Sequence, residues 1–165
     1  MRRIADLLLP ELDMEFSVTR HVLERVPDDK GQWKPHAKSF PLGHLAQLVA
    51  RLPGWVTMVI EQTELDLAGG YPGYSFETTA TLLAEFDRNS LAARASLSAA
   101  TDAGFDVSWS LKRGDAVLLT MSRYQVLRSM TINHLVHHRA QLGMYLRLLD
   151  LPVPSMYGPT ADEPR

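Results

Sequence analysis

Residues 133–141, with the sequence NHLVHHRAQ, lie in the longest helical pattern of the chain. His134 and His138 are four positions apart, so in an α-helix they stack on one face, where both imidazoles can reach a single ion. His137 lies about 60° away around the helix and is predicted at the edge of that face. The face is predicted to point inward, because apolar or aromatic residues lie on or beside it: Leu127, Met130, Leu142 and Tyr145. The stretch is therefore a candidate metal site.

A third ligand is expected, because catalytic zinc-type sites usually have three protein ligands and one open position. The other histidines are His21, His36 and His44. We choose His44, which lies in the first turns of a predicted helix beside Leu45 and Leu48. The structural alternative stays open, since a histidine on an apolar face is usually a core residue with its nitrogens satisfied.

Two other metal chemistries do not match this pattern. The pair lacks the glutamate of the HExxH metalloprotease motif. A di-iron carboxylate bundle needs Glu-x-x-His on two helices, and no histidine here has a glutamate three residues before it.

Four amphipathic stretches predict four long helices, separated by segments rich in proline and glycine. They cover residues 10–26, 41–64, 76–100 and 122–149. Each has one apolar stripe, which predicts an all-α four-helix bundle in a single domain, residues 1–165.

Details within this pattern are also predicted. Pro10 suits the first turn of the first helix, and Ser39 and Ser75 suit the N-caps of the second and third. Pro53-Gly54 predicts a kink or a short break in the second helix. We expect residues 66–74 to form a loop, and residues 101–120 to form a small hairpin or an extended crossover before the last helix.

Composition narrows the class of protein. The formal net charge of −2 argues against nucleic-acid binding, because there is no excess of Lys and Arg to contact phosphates. The absence of cysteine excludes disulfides, thiolate metal sites and a cysteine nucleophile. No segment suits a signal peptide or a membrane span, so we expect a cytoplasmic protein.

The sequence resembles the DinB/YfiT-like superfamily of metalloenzymes. The resemblance rests on NHLVHHRAQ with the following GMYLR (residues 143–147), and on LPVPSMYGP (residues 151–159) after the last helix. FPLGHLA (residues 40–46) resembles the second-helix histidine motif, and WKP (residues 33–35) the loop before it. The similarity spans most of the chain.

This resemblance implies an up-down-down-up bundle with a mononuclear site formed by His44, His134 and His138. Many relatives have a second histidine three residues after the first, where this chain has Gln47. Glutamine is a poor ligand for transition metals, so we interpret Gln47 as lining the pocket or supporting a ligand. Gln141 lies one turn below His138, where its amide can bind a cofactor or an imidazole N–H; lining the bundle interior is the alternative.

A site of three imidazoles with an open position predicts an enzyme with one divalent ion, zinc or nickel, since imidazole suits both. The family resemblance adds the type of reaction. It favours a transferase or isomerase that uses a low-molecular-weight thiol such as bacillithiol or mycothiol; metal-assisted hydrolysis would use the same site. The alternative is a non-enzymatic, dimeric metal-binding protein of the stress response. We expect a small-molecule substrate and a homodimer through apolar positions on the first and last helices: Val18, Val22, Val126 and Leu148.

Overall fold

The computed structural model describes residues 2–70 and 73–163 and is mostly helical. Its long helices are α1 (Ile4–Leu23), α2 (Leu42–Glu61) and α3 (Thr79–Ala99). The last helical segment comprises α5 (Arg123–Val126), a π-helical stretch (Leu127–Ile132) and α6 (Asn133–Leu148). The remaining elements are the short helix α4 (Asp102–Phe105), the strands β1 (Glu64–Asp66), β2 (Ser108–Arg113) and β3 (Ala116–Ser122), and two 3₁₀ turns (Asp28–Lys30 and Leu67–Gly69).

The first helix begins earlier than predicted, at Ile4, so Pro10 lies inside it rather than in its first turn. Asp102 accepts a hydrogen bond from the Ile4 backbone N–H at 2.8 Å and thereby caps the helix from a distant part of the chain. The burial of Ala5 and Leu8 offsets the backbone hydrogen bond that proline cannot make.

The second helix is continuous through Pro53-Gly54, so the predicted break does not occur, and its N-cap is Pro41 rather than Ser39. The third helix begins at Thr79. Thr78, not Ser75, is its N-cap, and Thr78 and Thr81 form a reciprocal capping box.

Residues 73–78 are not helical because their groups bind elsewhere. The Ser75 backbone N–H donates to Gln47 at 2.8 Å, and Phe76 packs on Gly43 of α2. Tyr71 and Pro72 of the predicted loop, and the last two residues of the tail, lie outside the described residues.

The predicted hairpin is confirmed. Strands β2 and β3 are antiparallel, with a turn at Gly114, whose φ of 59° suits glycine. Strand β1, which the sequence pattern did not predict, pairs in parallel with β2. The chain is therefore mostly helical with a small three-stranded sheet, and the prediction of a purely all-α fold needs this correction.

Buried side chains hold the sheet to the bundle and the helices to one another. Trp109 of β2 is 1 % exposed and lies with its ring 6.5 Å from that of Trp55 on α2. The largest fully buried apolar side chains come from every long helix: Leu12, Leu23, Leu42, Leu45, Leu52, Phe86, Leu97, Leu135 and Leu142. The four long helices pack around the core in the order α1, α3, α2, α6, and α6 lies again beside α1. Among the described residues, no helix is long and apolar enough to cross a membrane.

Two glycines of α2 allow a test of this packing. A Cβ built on Gly43 would lie 2.6 Å from the Cβ of Phe76, whereas one on Gly54 would lie 3.6 Å from Asn89, at ordinary contact distance. We expect Gly43→Ala to lower the free energy of unfolding by about 1–3 kcal/mol, since the root of the Phe76 side chain has no room to move. Gly54→Ala should raise it by roughly 0.5–1 kcal/mol through helix propensity. Denaturant unfolding measures the free energy of unfolding of both variants. Equal stability of the two would contradict this account of how α2 packs against α3 and the segment before it.

Candidate metal centre

The histidine pair follows directly on an irregular part of the last helix. The residues before it form a π-helical stretch, in which the Asn133 backbone N–H bonds to the Arg128 carbonyl, five residues earlier. Such stretches are frequent at functional sites. The sequence predicted one regular helix here, because hydrophobic periodicity does not distinguish one wide turn from the turns around it.

His134 and His138 face each other through their Nε2 atoms, which are 2.8 Å apart. Their other ring nitrogens have acceptors. His134 Nδ1 lies 3.3 Å from the Met130 carbonyl oxygen, and His138 Nδ1 lies 2.8 Å from Gln141 Oε1. A proton on each Nδ1 would satisfy both acceptors and leave the two Nε2 lone pairs facing each other, whereas a proton on one Nε2 would make this contact a hydrogen bond between the rings.

Two lone pairs at this distance repel unless a cation lies between them. Burial lowers the pKa of both His134 and His138, so a shared proton is disfavoured. A metal ion satisfies both nitrogens, and carbonyl or amide partners on Nδ1 are typical of metal-binding histidines. Two Zn–N bonds of about 2.0–2.1 Å at a tetrahedral angle would place the nitrogens about 3.4 Å apart, so the rings need to separate only slightly.

His44 is not part of this pair. Its ring is stacked between Phe40, with centroids 4.3 Å apart, and Tyr74, with centroids 3.9 Å apart. Burial lowers its pKa, and within the described ranges no hydrogen bond reaches either ring nitrogen. His44 is therefore a neutral imidazole with free lone-pair capacity. Across residues 2–70 and 73–163, however, no three His, Cys, Asp or Glu side chains form a group that could hold a metal ion. The structure brings together two of the three predicted ligands.

The two predicted glutamines have different surroundings. Gln141 bonds to His138, as one of its two predicted roles requires. Gln47 is 8 % exposed, and its amide donates to Glu85 at 3.2 Å and accepts from the Ser75 backbone. Gln47 thus joins α2 to α3 and the preceding loop.

The other histidines make different contacts. His137 packs edge-on against the His138 ring, with centroids 4.9 Å apart. His36 lies in the loop before α2, where its Nδ1 accepts the Lys38 backbone N–H, and His21 is exposed on α1.

A cavity of about 370 Å³ opens beside the pair. His138 and Gln141 line it from α6, together with Met144 and Tyr145, and the segment before α2 completes it with Lys38, Ser39 and Phe40. Phe40 therefore touches both the cavity and the ring of His44.

The sequence pattern did not predict the role of Arg139. This side chain is 1 % exposed and forms an ion pair with Glu15 of α1 at 2.6 Å. It also donates to Thr19 at 3.1 Å and to the Tyr157 hydroxyl at 2.8 Å, and that hydroxyl donates to Glu15 at 2.7 Å. Glu15 interrupts the apolar face of α1 between Leu12 and Phe16. A charged residue on this face was the feature of the sequence that could have indicated a buried ion pair.

The fold and the histidine pair define a mostly helical bundle with a candidate metal centre. Comparison with known proteins identifies the family. The DinB family model matches residues 1–165, so the chain belongs to the DinB family. It is similar to the crystal structure of a DinB-like protein, YjoA, from Bacillus subtilis, with 16% sequence identity and a TM-score of 0.70 over 96% of this chain and 99% of that one. A DinB-like protein from Bacillus cereus gives 20% identity and a TM-score of 0.67 over 94% of this chain and 98% of that one. No curated protein matches the sequence. At these identities the two crystal structures support the fold alone.

The buried ion pair yields a prediction about stability. Arg139→Met should lower the free energy of unfolding by about 3–5 kcal/mol, because it leaves the Glu15 carboxylate buried without a partner. The double variant Glu15→Gln with Arg139→Met should lose less than Arg139→Met alone. The control is Arg94→Met, which removes an exposed pair with Asp13 (side chains 56% and 44% exposed) and should cost less than about 1 kcal/mol. Equal losses for the two single variants in denaturant unfolding would refute this role for Arg139.

Proposed function

We propose that this protein binds one divalent metal ion through His44, His134 and His138 and uses it as an enzyme acting on a small molecule. The observation that carries the proposal is the convergence of two imidazole Nε2 atoms, 2.8 Å apart, whose Nδ1 atoms already have polar partners. Zinc and nickel both suit imidazole ligands.

The third ligand is supported by the chemistry of His44. Its ring is neutral and half-buried, and both nitrogens are free of hydrogen bonds within the described residues. Ligation requires the ring to leave the stack between Phe40 and Tyr74. Phe40, which forms one side of that stack, lines the same cavity as His138.

An ion held by three neutral imidazoles keeps its full charge and an open position, and it lowers the pKa of a bound water or thiol. The residues of the chain supply the rest: Gln141 orients His138, and the cavity admits the substrate. Because the chain has no cysteine, a thiol must come from a low-molecular-weight cofactor, as in the bacillithiol- or mycothiol-type transfer that the family resemblance favours. Hydrolysis is the alternative reaction.

A non-enzymatic, dimeric stress-response protein is the second candidate, and its site would be sealed by bulky side chains. The open cavity of about 370 Å³ beside His138 favours the enzyme. Tyr157, one of the side chains that could close the site, is bonded instead to Arg139 and Glu15.

We also infer an up-down-down-up direction for the four long helices. The order of the contacts supports it. Along α2 and α3, Gln47 meets Glu85 and later Glu61 meets Ser96, so both helices run the same way. Along α1 and α3 the order is reversed, since Arg20 meets Asp87 and Asp13 meets Arg94. Along α1 and the last segment it is again the same: Glu11 meets Arg128 and Glu15 meets Arg139.

The ligand set is tested by alanine substitution. His134→Ala, His138→Ala and His44→Ala should each abolish tight zinc or nickel binding, because two imidazoles remain and water must replace a fixed nitrogen. Gln141→Leu should weaken binding by roughly 10–100-fold through loss of the imidazole partner. Calorimetric titration and elemental analysis measure affinity and stoichiometry, with one ion per chain expected.

The controls are His137→Ala, His36→Ala and His21→Ala, which should bind as the wild type does. If His44→Ala keeps full affinity while His134→Ala and His138→Ala lose it, the third ligand is not His44. If far less than one ion per chain binds after reconstitution, the metal proposal is wrong.

We further propose a homodimer and a cytoplasmic location. Val22 and Val126, two of the four residues expected at the interface, are fully buried within the chain and are removed from it. Exposed apolar side chains remain on both helices: Leu7 and Met14 on α1, and Leu148 on α6. They support a helical dimer face. Light scattering should give twice the chain mass at micromolar concentration, and a monomer mass would contradict the dimer.

A further inference from the structure

The cavity beside His138 has one formally charged side chain in its lining, and that side chain is basic. Among its lining residues, Lys38 is the only group with a formal charge, and none is a carboxylate. The other polar side chains that line it belong to Ser39, His138, Gln141 and Tyr145. A carboxylate or similar anion entering this cavity therefore meets no repulsion from its walls.

The loop that contains Lys38 also favours an anion over a cation. Residues 30–40 contain three lysines and one histidine, and no acidic residue. Lys30 is paired with Asp29 at 3.1 Å, and Lys34 donates to the Ala37 carbonyl at 3.1 Å. Lys38 differs from both, since its ammonium has no hydrogen bond or ion pair to any residue in the described ranges.

The other walls are apolar. Phe40 and Met144 are 46% and 60% exposed. Tyr145 lies next to them, held by a hydrogen bond from its hydroxyl to the Phe40 carbonyl at 3.3 Å. A flat ring or an alkyl chain between these walls would remove apolar surface from water.

We propose that this cavity binds a small organic anion with an aromatic or alkyl body, whose carboxylate pairs with the Lys38 ammonium and whose body packs between Phe40, Met144 and Tyr145. The inference rests on the proposed function in one respect only. If the protein is the proposed metal enzyme, the bound anion is its substrate, and the end of the molecule opposite the carboxylate points to His138. The charge pairing itself requires no metal.

The test uses the full chain freed of metal, with phenylacetate and its neutral isostere phenylacetamide as probes. Each is titrated while the methyl resonance of Met144 is followed by NMR. We expect phenylacetate to shift this resonance and to bind at least fivefold more tightly than phenylacetamide, as a charge-assisted hydrogen bond is stronger than a neutral one. Lys38→Gln should abolish that preference, whereas the matched control Lys34→Gln, in the same loop but outside the cavity lining, should retain it.

Equal binding of the two probes, no binding of either, or an unchanged preference in Lys38→Gln would each overturn the proposal. Repeating the titration with zinc-loaded protein separates it from the proposed function. If the anion preference appears only with zinc and survives Lys38→Gln, the carboxylate binds the ion, and Lys38 is not its partner. If zinc does not bind but the Lys38-dependent preference persists, the anion site stands and the metal enzyme does not.

Discussion

A buried ion pair between Arg139 and Glu15 connects the parts of this protein that form its site. Both side chains are almost fully buried, and such charges persist in a protein interior only when each has a partner. The pair joins the last helix to α1, and the Tyr157 hydroxyl joins both to the C-terminal tail. Because successive residues of a helix are about 100° apart, fixing the direction of Arg139 also fixes that of its neighbour His138.

The fixed helix also sets the surroundings of the two imidazoles. Their Nδ1 atoms lie beside the Met130 carbonyl and the Gln141 amide, and burial lowers the pKa of both rings. Their Nε2 atoms converge at 2.8 Å, and the proposed metal site rests on this arrangement. The π-helical turn before Asn133 sets where the pair begins on the helix, so an irregularity of the backbone contributes to the chemistry of the side chains.

The site and its cavity are formed by two parts of the chain. The last helix supplies the paired imidazoles, and the loop before α2 supplies the basic and aromatic wall. His44 lies in the first turn of α2, directly after that loop, and its ring is stacked between Phe40 and Tyr74. The proposed three-histidine site requires this ring to leave the stack.

The sequence by itself determined the helical pattern, the hairpin and the position of the two histidines on one helix face, because each follows from local spacing. Helical periodicity places His134 and His138 on one face, and alternation with a glycine turn specifies β2 and β3. The family motif was also readable, since its residues are contiguous. Tertiary structure alone decided where α1 begins, because Asp102, 98 positions along the chain from Ile4, caps this helix. It also placed β1 beside β2. It also decided that Arg139 is buried and that His44 stacks on Tyr74 rather than joining the pair. Those outcomes depend on contacts between residues distant in the chain, whose energies no local pattern contains.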